Sequence, residues 1–158
     1  MPGLLKVSWM VKPLSLFAAM VMSVWPLPPL ISLWRPDWVV LFLLFWAIHD
    51  RSMRLWAVWL LGVVVDVQTG DPLGMHCLSL TVVVWGGVQV AARVRVFSLW
   101  QTSILVAMLD AIYRLLNWVV LQALVAASHD WSFFWPVLTS ALVWPVLLML
   151  MRYEGVRL

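Results

Sequence analysis

The chain has 158 residues, 65% of them hydrophobic and 11% charged, with a formal net charge of +3. A soluble domain carries about a quarter charged residues, so charge is too sparse here to coat a water-facing surface, and lipid is the expected solvent. The 10 Lys and Arg residues stand in short clusters, not in a stripe, which excludes the phosphate-tracking surface of a nucleic-acid binder.

Crossing ~30 Å of hydrocarbon takes roughly 20 apolar residues. The first span is expected over residues 13–34, behind Lys6 and Lys12. It reads as a retained signal anchor, because Val24-Trp25-Pro26 is too bulky for a cleavage site. Its second half, Trp25-Pro26-Leu27-Pro28-Pro29, cannot be regular helix, since prolines remove donors and clash with the preceding turn. That stretch is expected to leave the bilayer or run along its outer interface. The second span, 36–48, opens at Arg35-Pro36-Asp37-Trp38, and a polar turn at 49–54 leads into the third, 55–67. Both are short, which predicts tilted hairpin partners or a locally thinned bilayer.

Thr69-Gly70-Asp71-Pro72-Leu73-Gly74 is the clearest punctuation. Asp71 is expected as an N-cap, with Pro72 at the first helical position of a fourth span, 73–92. Arg93-Val94-Arg95 forms the next turn, and a long fifth span, 97–125, closes at Ser128-His129-Asp130. The sixth, 133–151, contains Pro145, which should free the Ala141 carbonyl and kink the helix. The 13 Trp residues suit membrane–water boundaries. The expected fold is thus an all-α membrane protein, a compact polytopic bundle of about six transmembrane helices in a single domain spanning residues 1–158.

Lys6, Lys12, Arg51, Arg54, Arg93, Arg95, Arg152 and Arg157 fall on one side of this threading, and only Arg35 on the other. Retention of cationic turns in the cytoplasm predicts that both termini are inside. Arg114 lies within span five. With Asp110 and Asn117 it forms an i, i+4, i+7 set on one helix face. A lone charge at that depth costs roughly 3 kcal/mol, so the face is expected to turn away from lipid. Three readings stay open for it: a mutually neutralised structural pair, a polar contact with a partner chain, or an ion or proton relay.

Asp37, Asp66, Asp71, His76, His129 and Asp130 lie on the outer side. Their spacing matches no metal-ligand pattern, and no metal or cofactor is expected. Asp66, ending an apolar helix before the glycine turn, is expected to cap that turn or take part in binding. Gly70 and Gly74, four apart, and the Gly86-Gly87 pair are expected to allow close helix packing. Cys77 is expected as a buried filler. No phosphate loop, nucleophile elbow or zinc-protease motif is present.

The order of several motifs is distinctive. Trp34-Arg35-Pro36-Asp37-Trp38 opens a short span, and a second short span leads into Asp66-x-x-x-Gly70-x-x-x-Gly74, with Leu73 before the last glycine. Phe134-Trp135 then precedes Trp144-Pro145 and a basic tail. Over nearly its whole length the chain resembles the rod shape-determining MreD family of rod-shaped Gram-negative bacteria. The resemblance implies a multi-pass inner-membrane component of the cell-elongation complex. Such a component acts with MreC, whose single span leads to a periplasmic domain, and with the actin-like MreB. The complex directs a glycosyltransferase and a transpeptidase that build lateral peptidoglycan, and family members are not known as enzymes. The positions matching the family motif are Arg35, Pro36, Asp37 and Trp38, then Asp66, Gly70, Pro72, Leu73 and Gly74.

The leading expectation is a non-enzymatic scaffold that packs against the MreC span and against a second copy of itself. The alternative is a small-solute binding subunit resembling the substrate-capturing component of a vitamin importer, which would need an outward cavity lined by polar groups. An intramembrane enzyme would need acid, base and nucleophile converging at one depth, where the sequence offers only Asp110 and Arg114.

Overall fold

Helices fill the apolar intervals between proline, glycine and polar clusters. The computed structural model describes residues 3–26, 28–50, 53–94, 96–125 and 131–153. Arg51, Arg95, Ser128, His129, Asp130 and Arg157, which enter the expectations above, lie outside them. The described elements are α1 (Gly3–Val24), the single turn α2 (Pro29–Ser32), α3 (Trp38–His49), α4 (Leu55–Thr69), α5 (Met75–Val94), α6 (Leu99–Val125), a 3-10 turn (Trp131–Phe134) and α7 (Trp135–Tyr153). No strand occurs among the described residues.

Of the expected span starts only the third, at Leu55, is unchanged, and two of the shifts are informative. The first long helix is Gly3–Val24, not 13–34. Pro13 sits inside it, where it removes the N–H that would have bonded the Trp9 carbonyl. The proline-rich stretch after Val24 supplies one helical turn and no more. The fourth span begins at Met75, not Leu73, and Asp71 is not its cap. The start of α6 carries a reciprocal cap: the Ser98 amide donates to Gln101 Oε1 at 3.0 Å, and the Gln101 amide to Ser98 Oγ at 3.4 Å. The helix α7 runs unbroken through Pro145.

Helix α3 is the axis. It packs against α1, α5, α6 and α7, whereas the main partner of α4 is α5. Residues Val39 to Ile48 of α3 are buried without a break, with Phe45 beside Trp144 of α7 at 6.5 Å between ring centres. A 12-residue helix is ~18 Å long, short of the hydrocarbon thickness. Protein surrounds it, so its ends need not reach the headgroups. On one flank Lys12 of α1 pairs with Asp50, and the Trp46 indole donates to Ser15 Oγ at 2.9 Å. Helices α5, α6 and the segment Trp131–Met151 are long and apolar enough to cross a membrane; the segment Val11–Val24, α3 and α4 are shorter apolar helices.

Candidate functional site

The polar residues gather at the end of the bundle where α1 and α4 finish and α3, α5 and α7 begin. Three clusters stand there, each joining different helices.

The first joins α3, α6 and α7. Arg114 of α6 grips Asp37, just ahead of α3, with two parallel bonds, Nε to Oδ2 at 2.7 Å and Nη2 to Oδ1 at 2.8 Å. Its third nitrogen, Nη1, donates to the Phe133 carbonyl, and the guanidinium lies 5.1 Å from the Phe133 ring centre. The Asp37 amide reaches Ser140 Oγ of α7 at 3.3 Å. Arg114 lies ~16 Å along the helix from the end of α6, level with the starts of α3, α5 and α7, so the last turns of α6 run on past the polar cluster. The guanidinium gives its direct bonds to Asp37, the carboxylate that can face it edge-on, while Arg114 still acts on the charge of Asp110. Asp110, one turn away, is fully buried. Ser140, Asp37 and Arg114 stand near it, yet neither carboxylate oxygen has a partner of hydrogen-bonding geometry among the described residues.

The second cluster closes the α4–α5 hairpin. Asp66, fully buried at the end of α4, accepts the Gly74 amide on Oδ2 at 2.7 Å and the His76 amide on Oδ1 at 2.8 Å. It therefore caps the N-terminus of α5 from the neighbouring helix, where a carboxylate also meets the positive end of the dipole. The Cys77 thiol donates to Oδ2 at 3.4 Å. Gly70 and Gly74 have φ of 74° and 99°, a left-handed backbone that glycine adopts without penalty. Neither lies close to another helix, so the expected packing role fails for this pair. The close approach occurs at Gly62, where a Cβ would sit 2.5 Å from Cys77 Cα. It holds also at Gly87, where a Cβ would sit 3.0 Å from a Leu44 methyl.

The third cluster joins α5 to α6. His76 Nδ1 faces two donors, the Tyr113 hydroxyl at 2.9 Å and the Asn117 amide nitrogen at 3.3 Å. It is therefore the acceptor, and Nε2–H donates to Asp71 Oδ2 at 3.1 Å. The Asn117 amide oxygen in turn accepts from Ser79. Asp110, Arg114 and Asn117 thus share one inward face, as their spacing requires, but serve different neighbours.

Two cavities of about 230 and 250 Å³ meet at Asp37, Asp71, His76 and Tyr113. Arg35 lines the first; its Nη2 donates to the Met22 carbonyl. Burial pulls the Arg35 guanidinium below its ordinary value while the nearby Asp37 pushes it back up. Sequence reasoning missed Tyr113, Ser79, Ser140 and Gly62. The four-residue ladder Gly62, Asp66, Gly70, Gly74 carried a signal for the last of these. Nothing in the sequence connects Ser140 to Asp37.

The motifs placed at these clusters have relatives. Residues 5–154 match the family of rod shape-determining protein MreD. The chain belongs to the MreD family. It is 34% identical over 136 residues to the rod shape-determining protein MreD of Haemophilus influenzae, covering 85% of this chain and 83% of that one. No solved structure matches the chain. MreD membership places the chain in rod shape determination, and its long apolar helices place it in a membrane. Within residues 5–154, Asp37 receives the Arg114 fork and Asp66 caps α5.

Proposed function

We propose that this chain is a non-enzymatic, multi-pass scaffold of the bacterial inner membrane that binds MreC and helps the cell-elongation complex direct lateral peptidoglycan synthesis. Family membership carries the reading. The use of polar groups supports it: Asp37, Arg114, Asp66 and His76 bond to other elements of the same chain, which suits groups that hold a shape. On this reading the whole chain is one domain, and α1 and α3 to α7 are its six spans. Both termini lie in the cytoplasm, where the cationic turns favour them. Asp110, Arg114 and Asn117 set the geometry of the bundle, and the MreC span packs on its lipid-facing surface, where small residues and complementary shape drive association. MreB, the elongation glycosyltransferase and transpeptidase, and a second copy of the chain are further partners.

Depletion in the native host tests this reading. We expect rounded cells, and MreC co-purifying with the tagged protein from solubilised membranes. Rods of normal shape with a new nutrient requirement would sink the scaffold. They would favour a small-solute binding subunit, a reading that the two adjoining polar cavities also support. Saturable binding of a small water-soluble compound to the purified protein would then be the expected result.

A further inference from the structure

The first polar cavity has an opening and a charge pattern that the scaffold role does not use. Helix α1 rests on α3 and α4 rests on α5, and the cavity lies between the ends of α1 and α4. Val24 of α1 and Val65 of α4 form apolar walls, with Val39 and Val40 of α3 behind them. Val24 in the lining, and Val21, Val64 and Val67 on the same two helices, are exposed, so the helices that flank the cavity present apolar surface outward.

The charged groups lining it carry both signs, Arg35 against Asp37 and Asp71. Asp37 gives both oxygens to Arg114 and has no free edge. Arg35 gives Nη2 to the Met22 carbonyl, and its Nε is buried without an acceptor among the described residues. A guanidinium has five donors, so donors remain unused. Asp71 has one oxygen on His76 and a side chain 31% exposed, so its second oxygen can take another donor. A bare anion would meet Asp71, and a bare cation would meet Arg35. A molecule with an oxyanion and a primary ammonium a few bonds apart meets neither repulsion.

We propose that this lateral opening is a binding site for a zwitterionic aminophospholipid, its phosphate on Arg35, its ammonium on Asp71 and its acyl chains along Val24 and Val65 between α1 and α4. Bound there, the lipid bridges the ends of α1 and α4 across the cavity, its headgroup at the polar side and its acyl chains along the apolar walls.

Native mass spectrometry of the delipidated full chain tests the proposal with phosphatidylethanolamine, phosphatidylcholine and phosphatidylglycerol of identical acyl chains. We expect phosphatidylethanolamine to be retained about tenfold more than either competitor, the low end for one hydrogen bond to a charged group. Phosphatidylcholine keeps the charge but has no N–H for Asp71, and phosphatidylglycerol has no cation. Asp71→Asn should reduce phosphatidylethanolamine to the level of the other two, and Arg35→Gln should weaken all three. Equal retention of the three lipids by the unaltered protein would overturn the proposal without recourse to any variant. Displacement of the lipid by an equal concentration of soluble phosphoethanolamine would overturn it as well, since it would show a water-soluble phosphoester as the occupant.

Discussion

Helices α3 and α4 are neighbours in the chain, both short and both mainly apolar with little difference between their faces, yet they live in opposite surroundings. Every residue from Val39 to Ile48 of α3 is buried. In α4 only Val58, Gly62, Val65 and Asp66 are buried, while Trp56, Trp59, Leu60, Val64 and Val67 are exposed. In water, burial follows hydrophobicity. In lipid the tails are as apolar as leucine, and hydrophobicity no longer distinguishes the inside of a bundle from its outside. Shape and polar bonds decide instead. Helix α3 is held by bulky interlocking side chains and by the Arg114–Asp37 fork at its start. Helix α4 is held by a backbone contact at Gly62 and the Asp66 clamp at its end.

Three substitutions probe this difference. Arg114→Leu should have the largest effect, because it leaves Asp37 without its cation among low-dielectric neighbours. We expect a loss of about 2–4 kcal/mol, discounted from the fully buried case for partial exposure, read by unfolding in mixed micelles. A loss below about 0.5 kcal/mol, the range of a surface ion pair, would show that the fork does not anchor α3. Phe45→Ala comes next. Its burial term largely cancels against a lipid reference, so the cavity term alone should cost about 2–3 kcal/mol. The smallest effect is expected for Trp56→Ala on the exposed face of α4, within about 0.5 kcal/mol in the same assay. Equal losses for Phe45→Ala and Trp56→Ala would erase the contrast between the two helices.

Much of the site was legible for local reasons. The Asp66 clamp could be anticipated because a carboxylate ending an apolar helix, followed by glycines four and eight residues on, has few other ways to satisfy its oxygens. The inward face of α6 followed from helical periodicity and the cost of charge in hydrocarbon. The partner of Arg114 was not legible. Asp110 is the nearest carboxylate in sequence, but the edge-on geometry a guanidinium needs is met by Asp37, 77 residues away. His76, Tyr113, Asn117 and Ser79 come together only because α5 and α6 pack at one register, and no spacing within either helix encodes that register. Gly70 and Gly74 looked like packing glycines, and their left-handed φ values reveal turn formers instead.

The sequence alone determined that this is a membrane protein built of apolar helices, where the main breaks between them fall, and which family the motifs resemble. These follow from composition, proline and glycine, and the cost of stranding charge or bare backbone in hydrocarbon, all of which act locally along the chain. Only the tertiary structure decided which short helix becomes the axis, which carboxylate meets Arg114, and where α1 and α4 leave a gap. Those outcomes rest on interlocking shape and on the direction of hydrogen bonds between segments far apart in the chain, properties that hydropathy does not carry.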